Sequence, residues 1–239
     1  MKYIVIDTET SGLFDFSQPA DAPGQPRLAH LAMICVGADL SETSRHDFYV
    51  QPEGWTMAEY DARAIAQGKK PASEVNGLTD EFLHEKGISV RSVLEVYADE
   101  IRSGRIVVAF NSQYDCKIMR GEFRRAGMPD LFEQTPNICV MRPLTGICRI
   151  PKRGGKGFKF PNLTEALDHF EVKPTEFNAH GAVDDAHGAL LIMRELHKIG
   201  KLPEAAVHYA KEKPEGTPER AARPARTTSD TSAAIPESF

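Results

Sequence analysis

Hydrophobic and polar positions follow two different periods along this chain, and the changes between them predict its elements. Four short segments are rich in β-branched and aromatic residues and are bounded by glycine or polar positions, as is typical of strands. They are residues 2–7 (KYIVID), 28–37, 46–51 and 105–110. Elsewhere apolar residues recur at helical spacing, most clearly over residues 89–103, behind a serine in a capping position. Further helices are predicted at residues 79–86, 113–126, 163–169 and 183–199.

The order of these elements predicts an α/β domain, because strands come first and then alternate with helices. Two segments lack either period. Residues 14–27 hold three prolines, which predicts a long loop, either a flap over a site or a surface insertion. Residues 214–239 are rich in Pro, Ala, Thr and Ser, which predicts a disordered tail. We therefore divide the chain into a domain at residues 1–200, a short helix or linker at 201–213, and the tail.

Composition narrows the classes of function. The chain has 239 residues, 41% of them hydrophobic, which is enough for one sizeable core. Its formal net charge of −5 gives no general affinity for polyanions, so such contacts must come from local basic regions. Four cysteines without paired spacing indicate reduced thiols. No targeting signal or membrane span is visible, so we expect a soluble, cytoplasmic protein without a membrane partner.

The first predicted strand runs into two carboxylates, Asp7 and Glu9. Residues i and i+2 of a strand point to the same side, so these two side chains should project together. Two carboxylates aimed at one point favour a hard cation, although an accidental surface pair is the alternative. This is the sole Asp-x-Glu sequence in the chain.

Two further acids follow predicted elements in a similar way. In VVAFNSQYD, Asp115 falls in the first turn of a helix that follows a core strand, where it is either a site residue or a helix cap. In HGAVDDA, His180 precedes a helix and has Asp185 five positions on; a solvated histidine beside an acidic helix start is the alternative. Since one residue rotates a helical side chain by about 100°, Asp184 and Asp185 cannot both face one point.

Taken in order, these residues resemble the DEDDh class of the DnaQ-like 3′-to-5′ exonucleases, in the ribonuclease H-like superfamily. VIDTETSGL, VVAFNSQYD and HGAVDDA are similar to its three motifs, and NGLTDEFL to its substrate-contacting segment. Phe110 and Tyr114 depart from the usual His and Phe of the second motif, but neither is a ligand position. Gly181 stands where the sister subclass has a Tyr, so His180 fits the histidine subclass. The resemblance covers roughly residues 1–199.

The resemblance implies a ribonuclease H-like mixed β-sheet flanked by helices, and a metal-dependent exonuclease that releases nucleoside 5′-monophosphates. Two Mg²⁺ or Mn²⁺ ions would be held by four acids: Asp7, Glu9, Asp115 and Asp185. All-oxygen ligation favours these ions over zinc. His180 would take the proton from the attacking water. Four residues would lie near the terminal nucleotide, with ordinary packing as the alternative for the two leucines: Thr10, Leu13, Asn76 and Leu78.

The implied substrate is single-stranded DNA or a DNA 3′ end, in proofreading or repair. An RNA-trimming 3′ exonuclease is the first alternative, because the treatment of a 2′-hydroxyl is not visible in the sequence. A module that binds a polymerase or another replication protein is the second. No clear clamp-binding motif is visible in the sequence, which weakens the case for this second alternative.

A basic region also stands out between residues 135 and 164, which contain no Asp or Glu. Six cations lie in and around the stretch KRGGKGFKF: Arg142, Arg149, Lys152, Arg153, Lys156 and Lys159. They are interpreted either as contacts to a phosphate backbone or as a solvated flexible loop. The stretch lacks the GKS or GKT ending of a phosphate-binding P-loop, so a nucleotidase of that type is rejected.

Overall fold

A five-stranded mixed sheet forms the centre of the computed structural model, which describes residues 3–172 and 181–207. The strand order is β3-β2-β1-β4-β5. The strands are β1 (Tyr3–Thr10), β2 (Leu28–Val36), β3 (Glu42–Tyr49), β4 (Ile106–Ala109) and β5 (Asn137–Cys139). β2 is antiparallel to β1 and β3, whereas β4 is parallel to β1 and β5. The carboxyl ends of β1, β4 and β5 therefore meet at one edge of the sheet.

Helices cover both faces of this sheet. They are α1 (Met57–Ala66), α2 (Ser73–Asn76), α3 (Asp80–Lys86), α4 (Val90–Arg102), α5 (Ser112–Arg125), α6 (Met141–Cys148), α7 (Leu163–His169) and α8 (Ala182–Lys198), with a 3₁₀ turn at Phe132–Gln134. α4 and α5 pack on the face that carries Ile4 and Ile6. α6, α7 and α8 pack on the face that carries Val5. Because both faces are covered, all nine residues of β2 are buried, which explains its continuous apolar run.

Several bounds differ from the prediction, for local reasons. β1 runs to Thr10 rather than ending at residue 7, because β2 continues to pair with it as far as Leu28. β3 begins at Glu42 because its polar first half pairs with β2 without burying an apolar face. β5, α1, α2 and α6 were not predicted. β5 and α2 are very short, α1 buries only Met57, and α6 contains Pro143, which the first turn of a helix tolerates.

The proline-rich loop at residues 14–27 has no helix or strand, as predicted, and is fastened to α5. The Arg125 guanidinium donates to the Ala20 carbonyl oxygen at 3.2 Å. The Gln25 amide nitrogen donates to the carbonyl oxygens of Asp15 and Pro19, at 2.7 and 3.0 Å. These contacts hold the loop against the domain, and its residues Gly24 and Pro26 line a cleft that also contains Glu9.

Several predictions fall on residues outside the described part of the chain. These are His180, the proposed tail at residues 214–239 and residues 208–213 of the segment 201–213. The end of the described chain returns to the sheet, where Asn137 N–H donates to the Ala206 carbonyl oxygen at 2.8 Å. Among the described helices, none combines the length and the apolar character that crossing a membrane requires.

Candidate active site

Three carboxylates meet where β1 contacts the start of α8. Asp7 and Glu9 share the face of β1 that carries Val5, and α8 packs on that face. Asp185 lies in the first turn of α8. One oxygen from each of these three side chains lies within 4.8 Å of the others. Residues far apart in the sequence thus present their oxygens to one small volume.

The two neighbouring acids of α8 point in different directions, as the helical geometry predicts. The Asp185 charge raises the pKa of both Asp7 and Glu9. Asp184 instead acts on Arg45, whose pKa it helps to raise. Only Asp185 of this pair therefore belongs to the carboxylate cluster.

Asp115 reaches the same edge of the sheet from the opposite face. It lies in the first turn of α5 and is buried. Its Oδ1 accepts hydrogen bonds from the Thr8 amide N–H at 3.1 Å and from the Thr8 hydroxyl at 2.9 Å. It is not among the three oxygens that lie within 4.8 Å of one another, but its charge contributes to raising the pKa of Asp7 and Glu9. β1 thus lies between two acids from two helices.

Burial and mutual repulsion make these carboxyl groups hard to ionise. Burial above all, followed by the charges of Asp115, Asp185 and Glu9, raises the pKa of Asp7 well above its usual range. Burial and Asp185 raise the pKa of Glu9 to about 8, against an opposing hydrogen bond from Asn76. Burial raises the pKa of Asp115 to about 7, opposed by its bonds to Thr8. A cluster of oxygen donors that is costly to charge fits a hard divalent cation, which would stabilise the ionised forms.

A cleft of about 510 Å³ opens beside Glu9. One wall is the chain after β1, from Thr10 to Leu13, and the other is formed by α1 and residues 69–76. The Leu13 side chain is 77% exposed on this surface. Three cations also line the cleft: Arg63, Lys69 and Lys70. The cleft therefore combines the Glu9 carboxylate, apolar surface and positive charge.

The four predicted substrate residues occupy different environments. The Thr10 hydroxyl lies 2.8 Å from the Gly12 carbonyl oxygen, to which it donates, and 2.6 Å from the Tyr114 hydroxyl. The Asn76 amide nitrogen donates to the Thr10 carbonyl oxygen at 3.1 Å, and Leu78 N–H donates to the Asn76 side-chain oxygen at 3.1 Å. Thr10, Leu13 and Asn76 line the cleft. Leu78 is instead buried in a small core with Trp55 and Leu83.

Three features around the site were not predicted from the sequence. Thr8 lies between the two acids of β1 but on its other face, and nothing in the sequence identified Asp115 as its partner. Tyr114 was noted only as a departure from the family motif, although its hydroxyl donates to Gly12. The cations of the cleft wall were missed because α1 itself was not predicted.

A second group of metal-ligating side chains has a different character. Cys35, His46 and Glu100 also bring donor atoms within 4.8 Å of one another. However, Arg105 forms an ion pair with Glu100, and burial raises the pKa of the Cys35 thiol. The charge of Glu100 is already balanced by Arg105, and the Cys35 thiol stays protonated. We therefore interpret this group as an ion-pair network beside a buried thiol.

Comparison with known proteins relates this geometry to one family. The model of the RNase_T family, whose description is exonuclease, matches residues 4–193. This range contains every described residue of the carboxylate cluster. No curated protein sequence matches this chain.

Solved structures share the fold at low sequence identity. Exonuclease I from Methylocaldum szegediense is 16% identical, with a TM-score of 0.59, over 82% of this chain and 40% of that one. E. coli exonuclease I in complex with a dA16 oligonucleotide is 16% identical, with a TM-score of 0.58, over 82% and 41% of the two chains. Cell-death related nuclease 4 is 15% identical, with a TM-score of 0.58, over 84% and 65%. The aligned region thus spans about 40% of the exonuclease I chains.

Proposed function

The chain belongs to the exonuclease family, and from this premise we propose that it is a metal-dependent 3′-to-5′ exonuclease that acts on DNA and releases nucleoside 5′-monophosphates. The observation that carries the proposal is the meeting of Asp7, Glu9 and Asp185 within 4.8 Å of one another. Asp115 lies beside them, and Glu9 of the cluster lines a cleft that is also lined by cations. This arrangement suits the hydrolysis of a polyanion at its end.

The carboxylate cluster is proposed to hold two Mg²⁺ or Mn²⁺ ions. Asp7, Glu9 and Asp185 would supply oxygens from one face of β1, and Asp115 from the other. When bound, such a pair of ions lowers the pKa of the attacking water and neutralises the charge that builds on the leaving oxygen. The protein keeps the four acids in place through the strand and two helix starts. Thr8 holds Asp115 through two hydrogen bonds.

His180 is proposed to take the proton from the attacking water. It lies outside the described residues, two positions before α8 begins at Ala182. The ordinary pKa of a histidine, about 6.5, suits proton transfer at neutral pH. His180 is only five residues before Asp185, which lies in the first turn of α8. The proposed proton acceptor is therefore close in sequence to one acid of the carboxylate cluster.

The cleft is proposed to hold the 3′-terminal nucleotides. Leu13, with 77% of its side chain exposed, offers an apolar surface for a base. Asn76 fixes the chain after β1 by bonding to Thr10, while Leu78 donates its N–H to Asn76 from the small core. The exonuclease I structures that hold DNA oligonucleotides support DNA as the substrate. The experiment described next also distinguishes DNA cleavage from the two alternatives, RNA trimming and a polymerase-associated binding module.

The test follows product length over time with 5′-labelled DNA and RNA oligonucleotides of one sequence, in Mg²⁺ and in Mn²⁺. We expect a ladder of shortening DNA, which a 3′-to-5′ direction requires. Asp7→Asn, Asp115→Asn and Asp185→Asn should each slow it by about a thousandfold or more, since several kcal/mol of charge stabilisation are lost. His180→Ala should slow it by about 10²- to 10⁴-fold.

Asp184→Asn is the matched control, because Asp184 is the neighbouring acid that acts on Arg45 instead. It should keep the activity of the parent. Full activity in any one of the three cluster variants would contradict the proposal. Faster degradation of RNA than of DNA would favour the RNA-trimming alternative, and no degradation of either would favour a binding module.

A further inference from the structure

Residues 149–160, here named the basic hairpin, lie between α6 and α7 and fold back on themselves through an isolated antiparallel β-bridge between Pro151 and Phe158. Lys159 N–H donates to the Ile150 carbonyl oxygen at 2.9 Å, and Lys152 N–H to the Gly157 carbonyl oxygen at 3.0 Å. The turn contains Gly154 and Gly155 with φ of 100° and 77°. Residues with a side chain rarely adopt such positive φ angles, whereas glycine adopts them readily. The glycines of KRGGKG therefore close a defined turn instead of forming a featureless loop.

The hairpin presents positive charge that the described part of the protein does not neutralise. Lys152, Arg153 and Lys156 are exposed and make no ion pair with any described residue. The other two cations have structural contacts: Lys159 pairs with Glu165 at 2.6 Å, and the Arg149 guanidinium lies 5.1 Å from the centre of the Phe158 ring. Three cations are thus displayed at the tip while two hold the base. In a chain of net charge −5, this is a local reversal of sign.

The two helices that flank the hairpin, α6 and α7, contact the helices that carry Asp115 and Asp185. On one side, Arg142 in the first turn of α6 donates to Gln113 in the first turn of α5, two residues from Asp115. On the other side, a Leu163 side-chain carbon lies 3.0 Å from where a Cβ on Gly188 would be. Gly188 is three residues after Asp185, about 4.5 Å along α8. The elements that flank the hairpin therefore both contact helices near their acidic first turns.

We propose that the basic hairpin binds the phosphate backbone of the polynucleotide, beyond the nucleotides that enter the cleft. This inference rests on the proposed function, since it names a second contact for the same substrate. Acidic clusters repel DNA, so a polyanion near the carboxylates gains from cations close by. Phe160, 51% exposed, adds an aromatic surface for a base, and charge combined with stacking is how single strands are bound. The partner is therefore a single-stranded polynucleotide several nucleotides long.

The decisive measurement is fluorescence anisotropy of a labelled 20-nucleotide single-stranded DNA in Mg²⁺, on the full chain with Asp115→Asn to slow cleavage. The triple variant Lys152→Ala, Arg153→Ala, Lys156→Ala should bind between about tenfold and a hundredfold more weakly at 100 mM salt. Its slope of log affinity against log salt should be smaller in magnitude by about 2, since each lost phosphate contact on a single strand removes about 0.7.

A matched control removes three exposed cations that already have acidic partners. Lys86, Arg102 and Lys198 pair with Glu85, Asp99 and Glu195. The triple alanine variant of these residues changes the net charge by the same amount. Because exposed ion pairs contribute little to stability and these cations lie outside the hairpin, this variant should keep the DNA affinity of the parent within about twofold. Equal binding by the two triple variants, or no binding by the parent, overturns the inference. Melting temperatures of all variants verify that they are folded.

Activity separates this inference from the proposed function. With intact catalytic residues, the hairpin variant should raise KM for the 20-mer by about tenfold and leave hydrolysis of the nitrophenyl ester of thymidine 5′-monophosphate unchanged, because the ester is too small to reach the hairpin. A protein that binds DNA through the hairpin but cleaves neither substrate would overturn only the proposed function. Equal KM values in both triple variants, with DNA cleaved normally, would overturn only the hairpin proposal.

Discussion

Thr8 connects the two acids of β1 to the acid of α5 at the scale of a single residue. Its side chain points to the face of the strand opposite to Asp7 and Glu9, and it donates twice to Asp115. These bonds favour the ionised carboxylate, whereas burial favours the neutral one and raises the pKa of Asp115 to about 7. The hydrogen bonds from one threonine therefore lower the pKa of Asp115 against the effect of burial.

Thr8→Val keeps the branched shape and the backbone donor but removes the hydroxyl donor. We expect the pKa of Asp115 to rise further and the affinity for Mg²⁺ at neutral pH to fall by about tenfold, the usual effect of removing a hydrogen bond to a ligand. Thr8→Ser retains the hydroxyl and should bind Mg²⁺ like the parent. Calorimetric titration of the three proteins measures the difference. Equal Mg²⁺ affinity in the valine and serine variants would show that the hydroxyl has no such role.

The position of α5 depends on two consecutive residues that fasten it to the rest of the protein. The Glu122 carboxylate is buried and accepts hydrogen bonds from the Arg27 guanidinium at 2.8 and 3.1 Å and from Leu28 N–H at 3.1 Å. Gly121 lets the 14–27 loop approach, since a Cβ there would lie 2.4 Å from the Ala20 carbonyl oxygen. Because α5 carries Asp115 in its first turn, these contacts also determine where that acid lies.

Gly121→Ala should therefore destabilise the protein by about 1 to 3 kcal/mol, because backbone has to move to remove the clash. Gly146→Ala is the control, since Gly146 lies in α6 with nothing within 4 Å of the added Cβ. It should be neutral or stabilising by up to about 1 kcal/mol, as alanine favours helices. Urea unfolding compares both variants with the parent. If the two variants proved equally stable, the close approach of the loop would not constrain α5.

At the scale of the whole molecule, the carboxylate cluster couples stability to pH. The pKa of Glu9 is raised to about 8 and that of Asp115 to about 7, while that of Asp7 is raised strongly. Between the ordinary pKa of about 4 and these values, the folded protein holds more protons than the unfolded chain. Its free energy of unfolding therefore falls as pH rises through this window. Below the window both states are protonated, and the cluster contributes no pH dependence.

We predict that the melting temperature of the chelator-treated protein decreases from about pH 5 to about pH 8 because of this cluster. Mg²⁺ or Mn²⁺ should raise it more at the higher pH, since cations compete with protons for the same oxygens. Scanning calorimetry measures both effects, and Asp7→Asn should weaken both by removing one of the coupled acids. An equal rise on adding the cation at both pH values would contradict the coupling.

Much of the fold could be predicted from local patterns. The helix at 163–169 matches α7, and residues 79–86 and 89–103 correspond to α3 and α4 together with their capping residues Thr79 and Ser89. The elements that were missed either are short or bury little, so their sequences carry no strong period. Of the candidate site, only the pairing of Asp7 and Glu9 was predicted from local geometry, because two residues at i and i+2 on one strand share a face. Asp115, Asp185 and His180 were assigned to it through the resemblance to the exonuclease family.

The sequence by itself determined the α/β layering, the shared face of Asp7 and Glu9, and the divergence of Asp184 from Asp185. These follow from periods of 2 and 3.6 residues that act over a few positions. Only the tertiary structure decided that Asp185 comes to one face of β1 and Asp115 to the other, that Thr8 donates to Asp115, and that α1 forms a cleft wall. Those contacts join residues far apart in the chain, such as the pair Thr8 and Asp115 with a separation of 107 positions. They depend on how helices pack on the sheet, which no local period encodes.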